Sequence, residues 1–240
     1  MSAVARTRFY PVFALALALV VFAGFARTYY LRTWFEVPPI TLLVQLHGLV
    51  FSMWVALYVV QTRLIAANNF RAHMRLGIAG LLIAGLVVAI GLVTVFVSAS
   101  ADRPRPMGMT STQFVFVPFF ILVAFAFLVT AAVSLRRHPE FHKRLMTLAM
   151  VAILPPATAR LIMLAGGQQH FLLLQTTITA LFVGWCLVSD WVKYRGLHPV
   201  YAIGGPLLVL SWPFRVWVAR TETWDAVGSW MAEVGRQLGA

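Results

Sequence analysis

The stretch that decides the fold is residues 74–98, MRLGIAGLLIAGLVVAIGLVTVFVS, a run of 25 residues in which Arg75 is the only charged side chain. An α-helix rises about 1.5 Å per residue, so about 20 such residues cross a hydrocarbon layer about 30 Å thick. Similar runs recur along the 240-residue chain, at about 9–27, 39–62, 113–135, 144–166, 170–190 and 199–218. The sequence therefore predicts an all-α polytopic transmembrane bundle of about seven spans, with one domain over residues 1–220.

Composition supports a membrane environment. The chain is 61% hydrophobic and 11% charged, whereas an ordinary soluble domain is about 45–50% apolar and about 25% charged. The net charge of +12 comes from basic residues that punctuate the apolar runs, which indicates contact with lipid headgroups and not with nucleic acid. A single cysteine, Cys186, excludes an intrachain disulfide and a CxxC motif.

Lys and Arg residues are unevenly divided between the two sides of the predicted membrane. Eleven lie on the side of the amino terminus, five lie in the opposite short loops and span ends, and three follow in the carboxy-terminal region. The positive-inside rule predicts a bacterial inner-membrane protein with a cytoplasmic amino terminus and a periplasmic carboxy terminus. The seventh run is the weakest candidate for a span, since it carries Pro206, Pro213 and Arg215. We expect the Arg215 side chain to snorkel to the interface.

The last segment, residues 221–240, has an amphipathic pattern. Its apolar residues fall at helical spacing, at Trp224, Val227, Met231, Val234 and Leu238. This pattern predicts a helix that lies in the outer membrane interface. The alternative is a helix docked on another protein.

The polar residues of the spans sort into two layers once the topology is set. The inner layer, at the cytoplasmic ends, contains His73, His138, His142, Asp190 and His198, and the outer layer contains His47, Arg160, His170 and Gln175. A transition-metal site formed by His73, His142, His198 and Asp190 is one interpretation of the inner layer, because neutral imidazole is the commonest protein metal ligand. The other is that these histidines contact headgroups or cap helices.

A second arrangement combines the two layers. His47 and His170 share the outer side, and His73 and His142 share the inner side. Two stacked histidine pairs resemble the logic of the cytochrome b type of membrane protein, in which four helices hold two b haems, one near each surface. The resemblance implies that these four residues bind haem.

Arg160 is the other candidate for a cofactor-binding residue. It follows Pro155 and Pro156, where the fifth span should kink. A deep Arg is costly unless it is paired or snorkels, and a lipid phosphate, a quinone oxygen or a haem propionate would pair with it. The alternative is that Arg160 snorkels to the outer interface.

Three short motifs carry a wider resemblance: Leu46-His47-Gly48, His73-x-Arg75-Leu76-Gly77 and His142-Lys143-Arg144-Leu145-Met146. They are similar to an uncharacterised class of multi-pass bacterial inner-membrane proteins. The resemblance implies the fold and the compartment, and it carries no activity.

Function is predicted from the histidine layers and Arg160. The leading hypothesis is an integral membrane component of an electron-transfer or respiratory system that binds haem b, quinone or a transition metal. One alternative is a non-catalytic accessory or assembly subunit, without a cofactor, that packs against a larger membrane protein complex. A small-solute transporter is the third, because the kinked fifth span and the polar residues Gln175, Thr176 and Thr179 could line a path. The sequence does not assign catalytic residues or decide whether the protein is an enzyme.

Overall fold

The computed structural model describes residues 8–101 and 103–239, so the extreme ends of the predicted regions, 1–7 and 240, lie outside it. Across these residues the secondary structure is helical and contains no strand. Among the described residues, seven helices are long and apolar enough to cross a membrane, which confirms the predicted number and makes the chain a multi-pass membrane protein. They are α1 Phe9–Tyr30, α2 Leu42–Ala66, α3 Phe70–Ser100, α4 Ser111–Ser134, α5 Pro139–Leu164, α6 Gly167–Tyr194 and α7 Pro199–Ala219. An eighth helix, α8, follows at Glu222–Gly239.

The chain divides into two compact units, residues 1–89 and 90–240. In the first unit, α1 packs on α2 and buries Phe13 and Leu17 completely. The tyrosines that end α1 fasten it to α2, since the Tyr29 hydroxyl donates to the Gln45 carbonyl at 2.9 Å. The Tyr29 ring lies where a Cβ on Gly48 would stand, only 2.2 Å from the nearest ring carbon, so this approach requires a glycine.

The second unit contains the end of α3 and helices α4 to α8. Helix α4 packs on α5, and α6 packs on α5 and α7. Its core includes Phe125 of α4, Leu148 of α5 and Trp212 of α7, each at most 1% exposed. The end of this unit formed by residues 135–138 and 195–198 is called the basic end here, and the end formed by residues 103–110 and 165–170 is called the loop end.

Helix α5 is broken near its middle, as the sequence predicts. Regular helix ends at Ala152 and resumes at Pro155, because a proline lacks the N–H for a helical hydrogen bond and its ring clashes with the preceding turn. Among the seven spans α5 is the most buried. The break therefore lies inside the second unit.

The predicted amphipathic helix is present as α8, but its apolar residues divide between two faces. Trp224 and Met231 are buried against the second unit, while Val227 and Leu238 are exposed. Two glycines allow the close approach: a Cβ on Gly228 would lie 2.3 Å from the Thr112 carbonyl oxygen, and the corresponding distance from Gly235 to the Phe96 carbonyl oxygen is 2.1 Å. Packing on its own chain thus uses part of the surface that the sequence assigned to lipid or a partner.

Candidate functional site

The strongest polar site in the second unit is an ion pair at the basic end, between Arg144 of α5 and Asp190 of α6. The Arg144 Nε donates to the two Asp190 carboxylate oxygens at 3.1 and 2.8 Å, and Nη2 donates to Oδ1 at 2.8 Å. The exposed fractions of these two side chains are 2% and 3%. Such a buried, fork-like pair requires accurate geometry, because two charges have been removed from water.

Further side chains extend this pair toward the surface. Glu140, one turn before Arg144, accepts from Arg144 Nη1 at 2.5 Å and from Lys143 Nζ at 2.5 Å. Lys143 Nζ also donates to the Tyr194 hydroxyl at 3.0 Å, which links α5 to the end of α6. The Arg144 guanidinium lies 5.6 Å from the ring centre of Tyr201 on α7. Three spans therefore meet at this charge cluster.

His198 joins the cluster through its backbone, and its ring caps α7. The His198 N–H donates to Asp190 Oδ2 at 3.2 Å, and the ring Nδ1 accepts from the Val200 N–H at 3.2 Å. Burial and the nearby Arg144 charge lower the pKa of His198 below its usual range. A neutral imidazole whose Nδ1 accepts carries its proton on Nε2, so this ring is arranged as a helix cap.

His142 has the opposite arrangement. Its ring Nδ1 lies 2.8 Å from the carbonyl oxygen of Ala132 on α4. A carbonyl only accepts, so Nδ1 is the donor and the neutral ring carries its lone pair on Nε2. Histidine ligands of metals and haem usually have one ring nitrogen fixed in this way by a backbone carbonyl or carboxylate. His142 therefore fits both predicted roles, ligand and cap.

A second polar group lies deeper in the unit and joins α5, α6 and α7. Gln175 Nε2 donates to the Thr158 hydroxyl at 2.7 Å and to the Pro155 carbonyl at 3.2 Å. One turn further along α6, Thr179 accepts from the Trp212 indole N–H at 3.0 Å. These polar residues of the sixth span hold neighbouring helices together.

Arg215 of α7 corrects an expectation, because it does not snorkel. Its side chain is 1% exposed, and its guanidinium carbon lies 4.7 Å from the ring centre of Phe120 and 4.6 Å from that of Trp212. Its Nη2 donates to the Ser211 hydroxyl at 2.6 Å. Its helix is long and apolar enough to span despite Pro206 and Pro213.

The other predicted cofactor residues of the second unit lie at or near its surface. The Arg160 side chain is exposed, and its Nη1 donates to the Pro156 carbonyl of its own helix at 2.8 Å. His170 is also exposed, at the start of α6. Their predicted part in binding a cofactor stays a prediction.

The first unit holds the other two histidines that are predicted to bind haem. His47 is half-buried and stacks on Phe51, with ring centres 4.2 Å apart. His73 is half-buried, and its backbone carbonyl accepts from Gln61 Nε2 at 3.2 Å. Each predicted haem pair joins a histidine of one unit to a histidine of the other, so the pairing stays a prediction.

The predicted metal set of His73, His142, His198 and Asp190 stays a prediction. Within residues 8–101 and 103–239, no group of three or more His, Cys, Asp or Glu side chains is arranged to hold a metal ion. The Asp190 carboxylate instead accepts hydrogen bonds from Arg144 and from the His198 N–H. The carboxylate of this predicted set is therefore paired with a cation of the protein itself, Arg144.

No protein-family model, curated protein or solved structure matches this chain. The resemblance carried by the motifs that begin at Leu46, His73 and His142 stays a prediction. Function has to be inferred from the chemistry of the side chains themselves.

Proposed function

We propose that the chain is an integral membrane component of an electron-transfer or respiratory system, and that its histidines hold a redox group, haem b or alternatively quinone or a transition metal. The observation that carries this proposal is the fixed tautomer of His142. Its Nδ1 donates to the Ala132 carbonyl, which directs the basic lone pair to Nε2. The basic end is the cytoplasmic side of a bacterial inner membrane in this proposal.

In a haem site, His142 would be one of the residues that hold the haem, and His47, His73 and His170 are the other predicted ligands. A bound haem would supply reversible one-electron chemistry. The contribution of the chain is orientation: the hydrogen bond to Ala132 fixes the His142 ring and increases the basicity of the ligating nitrogen. Quinone is the alternative ligand, and its oxygens would interact with the same histidines and with Arg160.

The test is an oxidised-minus-reduced absorption spectrum of the purified protein, with elemental analysis of the same sample. We expect the bands of a b-type haem, and we expect His142→Asn to remove them. An Asn amide can still donate to the Ala132 carbonyl, but it does not ligate haem iron as imidazole does. His138→Ala is the matched control, because His138 is an exposed histidine of the same turn. Colourless, metal-free protein without bound quinone would contradict the proposal.

A second candidate function is a non-catalytic accessory or assembly subunit of a larger membrane protein complex. It is favoured by the way the basic end uses its polar groups, since Arg144 is paired with Asp190 and Glu140 and His198 caps a helix. In that case His142 is a cap as well. Colourless wild-type protein, with a His142→Asn variant of unchanged stability, would support this candidate.

A further inference from the structure

A groove of about 620 Å³ opens at the loop end of the second unit. One wall is the start of α6, from Gln168 to Leu173, and the other is the end of α7, including Pro213 and Val216. Met107 and Arg220 complete it near the membrane boundary. This volume lies within the usual range of about 300–1,000 Å³ for sites that bind small molecules.

The mouth of the groove is polar and favours an anion. Arg220 and His170 line it, together with the side chains of Gln168 and Gln169, and no carboxylate is among its described lining residues. Arg220 is held in place because its Nη2 donates to the Met107 carbonyl at 3.2 Å. A guanidinium matches the geometry of phosphate oxygens and is always charged.

Apart from Thr176, the remainder of the groove is apolar, and it runs into the membrane-spanning part of the unit. Leu172 and Leu173 belong to α6, and Pro213 and Val216 belong to α7. Arg220 lies seven residues beyond Pro213, which corresponds to about 10 Å along a helix. That is the direction in which a lipid passes from its headgroup into its acyl chain.

We propose that this groove is a binding site for a single phospholipid molecule. The phosphate interacts with Arg220, with His170 and the two glutamines around it, and an acyl chain lies along Leu173, Pro213 and Val216. A free phosphate would use only the mouth, whereas a neutral amphiphile would leave the Arg220 charge without a matching anion. The site shares His170 with the proposed redox function but does not rest on that function, because Arg220, Pro213 and Val216 have no part in it.

The experiment measures binding of a short-chain phosphatidylglycerol to delipidated, detergent-purified protein by native mass spectrometry. Two variants address the two parts of the site: Arg220→Gln removes the phosphate partner, and Val216→Trp fills the apolar part. Arg236→Gln is the matched control, since Arg236 is an exposed arginine near the same end that pairs with Glu233. Inorganic phosphate and a short-chain quinone are titrated in parallel.

We expect one saturable phospholipid per chain, with binding about 10-fold weaker in Arg220→Gln, because this variant loses the charge-assisted hydrogen bond from the guanidinium to the phosphate. Val216→Trp should weaken phospholipid binding as well, and Arg236→Gln should not. Circular dichroism verifies that each variant is folded. A second variant that fills the apolar part, Leu173→Trp, replaces Val216→Trp if Val216→Trp does not fold. Equal phospholipid binding in all variants would overturn the proposal. It would also be overturned if inorganic phosphate bound as tightly as the phospholipid, or if the quinone displaced the phospholipid.

Discussion

Replacing Asp190 by Asn is the sharpest test of the site at the basic end. The change keeps the size of the side chain and removes its charge, while Arg144 stays in place with an exposed fraction of 2%. Arg144 would lose the carboxylate that accepts from its Nε and Nη2. Its remaining acidic partner would be Glu140, whose side chain is 52% exposed.

The expected loss of stability is about 3–5 kcal/mol, because removal of one partner leaves an uncompensated buried charge. At 1.36 kcal/mol per tenfold, this corresponds to a change of roughly 150- to 5,000-fold in the unfolding equilibrium. The pair between Arg236 and Glu233 provides the matched control, since both side chains are 59% exposed. An exposed pair contributes about 0–1 kcal/mol, so Glu233→Gln should have little effect.

The assay is denaturant unfolding of the detergent-purified protein, followed by circular dichroism. The double variant Arg144→Met with Asp190→Leu should recover most of the stability lost in Asp190→Asn, because apolar side chains of similar volume can replace a buried pair with little cost. A cost for Asp190→Asn no greater than that of Glu233→Gln would refute the reasoning. A double variant less stable than the single one would refute it as well.

Two further predictions follow from the helix caps and the docked helix. The pKa of His198 is lowered in the folded protein, so the unfolded chain binds a proton at this residue more readily. The stability that the neutral His198 contributes is therefore present above about pH 6.5 and is lost as the pH falls through the lowered pKa. His198→Asn keeps a capping side chain without titration, so its melting temperature should depend less on pH between 7 and 5, and an unchanged dependence would exclude His198 as the source. Gly228→Ala should release α8 and make it sensitive to limited proteolysis, because the added methyl would meet the Thr112 carbonyl at 2.3 Å, whereas Gly239→Ala, with its nearest atom at 3.6 Å, should not. Equal proteolysis of the two alanine variants would contradict that account of the packing.

The spans could be predicted from the sequence because lipid imposes one dominant requirement, that each crossing segment be long, helical and apolar. Some helix starts are set by local signals that lie outside the apolar runs: the fifth span was predicted from about residue 144 and begins at Pro139. Pro139 and Pro199 begin α5 and α7, where a missing N–H has no helical partner to lose. Thr110 caps α4 through a capping box with Gln113.

The site was harder to predict because the sequence gives the depth of a residue in the membrane more directly than its direction around the helix. Arg144 follows His142, which was assigned with Asp190 to the inner layer, yet 46 positions separate Arg144 from Asp190 and nothing local links them. One signal was available: Gln175, Thr179 and Asp190 fall on one face of α6, and all three are buried. A polar face on a membrane helix is buried against other helices, which would have pointed to the pairing.

That polar face also determines what the break in α5 can do. The half of α5 before the break is fixed to α6 by the Arg144–Asp190 pair, and the half after it is fixed to α6 by the hydrogen bond from Gln175 to Thr158. A hinge motion at Pro155 would have to break one of these buried contacts, and an unsatisfied buried polar group costs about 1–3 kcal/mol or more. The proline break is therefore a fixed bend held on both sides by the same helix. A transport path gated at this position would need both contacts to be weak. Both contacts are buried and short, so the structure argues against such a gate.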